Sequence, residues 1–159
     1  MDECILQQAE HYLDVTKHIF QNKGFLFSTA FIVGDRTEVV KLDLSSEEKK
    51  NQYSHFIKQR FIETNATHLI VIQNACVYLY SPEQMEGMDP GADPEMEDDQ
   101  NSYEALVVFI SSKNGSEVWQ IPYMWTHNGV AFAEKEIMRT IVSENWMINS
   151  NKQMATQLN

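Results

Sequence analysis

The sequence predicts an α+β protein: one domain with a largely antiparallel sheet and two or three helices packed on one face. Two segments, Asp2–Gln21 and Ser46–Thr64, repeat apolar residues at helical spacing. Several β-rich runs are joined by short Gly-containing turns, which suit hairpins rather than parallel crossovers. With 159 residues, 43% of them hydrophobic, the chain has the length and apolar content of one domain with a core of its own. The domain is expected over residues 1–148, with a polar tail from 149 to 159.

In chain order, Ile5, Ala9, Tyr12, Leu13 and Phe20 mark the buried stripe of the first helix, which Gly24 ends. Phe25–Val33 reads as an apolar strand, Gly34-Asp35-Arg36 as a turn and Thr37–Leu42 as the returning strand. Ser45 with Glu48 has the spacing of a capping box, and behind it Tyr53, Phe56, Ile57, Arg60 and Phe61 share one helical face. His55 falls off that stripe and is expected exposed. Thr67–Tyr80 is β-rich, with Gln73-Asn74 either a tight turn or a bulge in one long strand. Tyr103–Ser111, a turn at Asn114-Gly115, Glu117–Trp125, a second turn at Asn128-Gly129 and Val130–Ala133 predict a three-strand meander. Pro122 suggests an edge or a bulge within it. Ile137, Met138, Ile141, Val142 and Trp146 fit a short C-terminal helix.

The formal net charge is −11, and it is unevenly spread. Residues 61–112 hold ten acids and no Lys or Arg, and nine of the ten lie between Glu83 and Glu104. With Asp89-Pro90-Gly91 and Asp93-Pro94 as turn chemistry, 83–102 is expected to form a flexible acidic loop. An acidic balance argues against a nucleic-acid binder working through a basic face. Met1-Asp2-Glu3 is acidic where a secretory leader would be basic, and the longest apolar run, Ala105–Ile110, is far short of a bilayer span. A cytoplasmic location, with no membrane segment, is the expectation. Cys4 and Cys76 are too few for a disulfide framework and are expected as reduced thiols, Cys76 as a buried structural one.

Motifs for catalysis or cofactors are missing. The six glycines never cluster before a helix, and no CxxC, HxxxH, HxE or G-x-S-x-G pattern occurs. His11, Asp14 and His18 form one stripe on the first helix, whose plainer reading is a solvated polar face. The loop carboxylates do not follow the spacing of a calcium loop. No cofactor or metal is expected. The remaining candidates are for partner binding: Met88, Asp93, Glu95, Met96, Glu97, Asp98 and Asp99 in the acidic loop, and Trp119, Tyr123 and Trp125 alternating along one strand face.

Phe25–Leu42 as a strand hairpin, Glu47–Thr64 as a helix, Ala66-Thr-His-Leu-Ile-Val-Ile-Gln-Asn-Ala75, a Pro/Asp/Glu loop and Tyr103-Glu-Ala-Leu-Val-Val108 together resemble a family of small bacterial proteins of unassigned activity. A tryptophan follows Ala75 in that pattern, where this chain has Cys76. The resemblance covers about half the chain; it implies a compact α+β fold and supplies no catalytic residue.

Three functions remain on the sequence. The first is an interaction module meeting a protein partner through its sheet face or through the acidic loop, a basic partner if through the loop, without direct nucleic-acid contact. The second is a small enzyme with a pocket between the first helix and the sheet, using His68, Cys76 or His127. The third is an acidic inhibitor mimicking nucleic-acid charge, of the kind phages and plasmids use.

Overall fold

The computed structural model describes residues 2–78 and 102–138. Its elements are α1 (Glu3–Lys23), β1 (Ser28–Val33), β2 (Thr37–Leu42), α2 (Glu47–Glu63), β3 (His68–Tyr78), β4 (Ser102–Ser112), β5 (Gly115–Thr126), β6 (Gly129–Phe132) and β7 (Glu136–Met138). One antiparallel sheet runs β2-β1-β3-β4-β5-β6, with β7 added beside β5. The α+β class expected from the sequence is what the chain adopts.

The helices are not on one face, however. Alternation along β3 sends Ile70 and Ile72 into a cluster with Ile5, Ala9, Leu13 and Phe20 of α1. It sends Leu69 and Val71 into a second cluster with Ile57 and Phe61 of α2. β4 divides in the same way, Leu106, Val108 and Ile110 against Val107 and Phe109. The central strands are apolar on both sides, so each side needs a cover. Topology supplies it: β2 and β3 both run antiparallel to β1. They are therefore parallel to each other, and α2 is the crossover between them.

Each helix is closed by local chemistry. Asp2 caps α1 by accepting from the Cys4 N–H at 2.9 Å. Gly24 ends it at φ 75°, a left-handed conformation that costs glycine little, and its N–H donates to the Phe20 carbonyl. The N-cap of α2 is Ser46, which accepts from the Lys49 N–H at 3.2 Å; the expected Ser45–Glu48 box does not form. Ser45 instead gives its N–H to Asp43. That bond and the ion pair with Lys49 at 2.7 Å hold the Asp43 carboxyl down to about 2, the Lys49 hydrogen bond contributing most.

β3 is one strand, paired with β4 over its whole length from His68↔Ser112 to Tyr78↔Ser102. Pro122 lies in β5 where the outer edge is free of ladder partners, since β7 pairs with residues 118–120 and β6 with 123–126. Its carbonyl accepts from the Ala133 N–H at 2.8 Å as the chain leaves β6. Ile137 and Met138 belong to β7 and not to a helix. The rest of the expected C-terminal helix lies outside the described residues. On the α1 side, Lys135 pairs with Glu10 and stands 3.9 Å over the buried Trp119 ring, tying the β6–β7 link to the helix.

Candidate functional site

Among the described residues, α1 lies over the middle of the sheet and leaves the β1–β2 margin of that side largely uncovered. Tyr12 stacks on Phe31 of β1, centroids 4.2 Å apart and planes 3° from parallel. Val15 and Ile19 follow Tyr12 at spacings of three and seven and share its flank. Across the margin, Val39 of β2 is opposite Phe31, and Lys41 is opposite Thr29. Phe25 and Phe27 lead into β1 edge-to-face at 5.5 Å, with Lys41 Nζ 5.2 Å from the Phe27 centroid. Val15, Ile19, Phe25, Phe27 and Val39 are five of the ten large hydrophobic residues exposed among the described residues. Phe25, Phe27 and Val39 lie on or beside the two outer strands β1 and β2, and Val15 and Ile19 lie on the flank of α1 that carries Tyr12. Large exposed apolar patches are uncommon on proteins that act alone.

On the other side of the same margin, α2 reaches β2 through Arg60, whose guanidinium holds both carboxylate oxygens of Glu38. The Arg60 hydrogen bonds keep the Glu38 carboxyl below its ordinary range. Phe56, one turn earlier on that flank, was expected in the buried stripe and is 45% exposed.

The candidates named from sequence lie elsewhere or outside the described residues. Met88, Asp93, Glu95, Met96, Glu97, Asp98 and Asp99 are outside. Trp119, Tyr123 and Trp125 do share the α1 side of β5. Trp119 is core and donates its indole N–H to Glu117 at 2.8 Å. Tyr123 is nearly buried, and Trp125 is 53% exposed beside Phe20. His11, Asp14 and His18 are all exposed on α1, as is His55 on α2. Among the described residues no group of three His, Cys, Asp or Glu side chains is placed to hold a metal.

The residues of the enzyme reading are scattered. His68 is buried at the start of β3, its Nε2–H donating to Gln8 Oε1 at 2.6 Å and its Nδ1 2.7 Å from Thr67 Oγ1. Burial holds its imidazole below the ordinary value, partly opposed by the Asp2 charge. Cys76 is eight residues further along the same strand, roughly 26 Å away, and His127 is exposed in the β5–β6 turn. Cys76 was expected buried and is exposed, because β3 runs past the end of the core. Across the sheet it meets Glu104 and then Tyr123. A nucleophilic thiol needs a base or a cation at that position, not a carboxylate. Burial raises the Tyr123 phenol above its ordinary value, the Asn74 side chain opposing and Glu104 adding to it. That phenol is therefore a hydrogen-bond donor at neutral pH.

The exposed apolar margin escaped the sequence reading because it depends on strand order. Its only local signals were the exposed positions of α1 and the alternation of Val39 and Lys41. Among the described residues, no helix is long and apolar enough to cross a membrane. No family model, curated protein or solved structure matches the chain.

Proposed function

We propose that the protein is a small interaction module that docks a protein partner on the β1–β2 margin of its sheet. The observation that carries this reading is the exposure of Phe25, Phe27 and Val39 along the β1–β2 margin, with Val15 and Ile19 exposed on the flank of α1 that carries Tyr12. A partner covering the margin removes apolar area from water at about 25 cal/mol per Å², and Lys41 and Arg36 at its border supply charge for orientation. The scatter of His68, Cys76 and His127 favours this over an enzyme.

The test starts from a partner recovered on the immobilised full chain, identified, purified and titrated against wild type and Val39→Glu. Val39 is an exposed residue of an outer strand, so the variant is expected to keep wild-type thermal unfolding. The docking reading expects it to bind at least ~10-fold more weakly, about 1.4 kcal/mol. Equal affinity for Val39→Glu and for Ile19→Glu refutes the docking site.

A further inference from the structure

We infer that Trp125, Tyr123 and Glu104 form a recognition corner for an arginine side chain carried by a basic protein partner. The corner lies on β4 and β5, which β3 separates from the β1–β2 margin. The inference therefore stands whether or not that margin docks anything.

The rings are already held in place. Phe20 is 2% exposed and lies 5.1 Å from the Tyr123 centroid and 5.5 Å from that of Trp125. Tyr123 and Trp125 stand 6.5 Å apart with their planes 88° from parallel. Tyr123 is nearly buried and Trp125 is 53% exposed, so the corner has one fixed wall and one open wall. Glu104 is exposed and directly opposite Tyr123 across the β4–β5 ladder. Opposed positions are about 5 Å apart and the diagonal, here from Glu104 to Trp125, is about 7–8 Å, within reach of long side chains. An indole and a carboxylate are thus presented side by side.

The molecule shows what its aromatic faces take. Lys135 Nζ stands 3.9 Å over Trp119, Lys41 5.2 Å from Phe27 and Lys17 5.5 Å from Phe132. Among the described residues no cation stands over Trp125, and Glu104 enters no ion pair. Arginine suits both groups at once. Its planar, weakly hydrated guanidinium stacks on an indole while its N–H fork meets a carboxylate; an ammonium is a compact, strongly hydrated point charge. The charge of the chain favours the same sign. Tyr78 and Ser102 face each other at this end of the sheet, and the sequence between them carries eight Asp/Glu and no Lys or Arg. Carboxylates anchored there draw a basic segment toward the corner. A second copy of the chain would bring its own −11 to the contact, which favours a different protein.

The probe is an eight-residue peptide alternating arginine and glycine, titrated into the isotope-labelled full chain at about 0.15 M salt and followed by NMR. We expect a saturable shift of the Trp125 indole N–H and of the Tyr123 and Glu104 amides. Citrulline in place of arginine keeps the shape and removes the charge, and should weaken binding at least ~10-fold. Trp125→Leu should weaken it about 5-fold and Glu104→Gln about 3-fold, both with wild-type thermal unfolding, since both side chains are exposed. A lysine peptide should bind more weakly than the arginine one. A citrulline peptide that binds equally, an unmoved Trp125 indole, or no binding overturns the corner. Wild-type affinity in both variants would reduce the attraction to diffuse charge and overturn it too. Tighter binding by Arg139→Gln would mean that the chain's own arginine fills the corner, and a sedimentation dimer lost in Trp125→Leu would put a second copy there; either refutes a foreign arginine.

Discussion

Replacing Phe61 by alanine, and separately Phe56, asks one helix the same question at two sites five residues apart. Phe61 is 3% exposed and packs among buried side chains beneath α2. Truncating a buried Phe costs about 3–5 kcal/mol, part of it from the cavity left behind. Phe56 is 45% exposed. Its loss forfeits about 1 kcal/mol of burial, and alanine's better helix propensity returns about half of that. The two variants should therefore differ by roughly 3 kcal/mol. With a urea slope of about 2 kcal/mol/M, Phe61→Ala lowers the midpoint by about 1.5–2.5 M and Phe56→Ala by about 0.3 M. Far-UV circular dichroism in urea measures both, the slopes staying equal to that of wild type. Midpoints within about 0.5 M of each other would mean that α2 is not seated through Phe61.

Burial keeps His68 below its ordinary 6.5, so the unfolded chain takes up a proton that the folded chain refuses. Its stabilising effect is complete above 6.5 and is lost as pH falls through the folded value; urea midpoints against pH should show this slope, and His68→Gln should lack it. An identical slope in the variant refutes the assignment. Cys4 and Cys76 are both exposed, so a chromogenic disulfide reagent should titrate two thiols in native protein and one in Cys76→Ser; a second thiol that reacts only after unfolding contradicts the placement of Cys76.

Local chemistry made much of the fold readable. The stripe Ile5, Ala9, Leu13 and Phe20 with Gly24 behind it is α1, and Asn114-Gly115 marks the β4–β5 turn. The misplacement of the helices had a visible cause in the sequence. His68-Leu-Ile-Val-Ile72 and Ala105-Leu-Val-Val-Phe-Ile110 are unbroken apolar runs, which need cover on both sides. Ile137 and Met138 fit helical spacing equally well, and pairing with Val118 and Trp119 decided for a strand. Helical spacing also cannot tell where a sheet ends, so Phe56 was grouped with Phe61. The alternation of Trp119, Tyr123 and Trp125 was legible, but how far α1 covers β5 was not. The margin beside Val39 is set by strand order, a long-range property that no window of sequence contains.

The pairing of β3 with β4 closes at Tyr78 opposite Ser102, residues that stand about 5 Å apart across a ladder. A two-residue Asn-Gly turn spans that gap. Residue 78 can therefore be joined to residue 102 through such a turn, shedding eight carboxylates and no Lys or Arg, and bringing the formal charge from −11 to −3. The same junction accepts foreign sequence of varied length, since closure cost rises only with the logarithm of length. The register of the two central strands is written in their own eleven facing pairs, and the junction at their end only has to close.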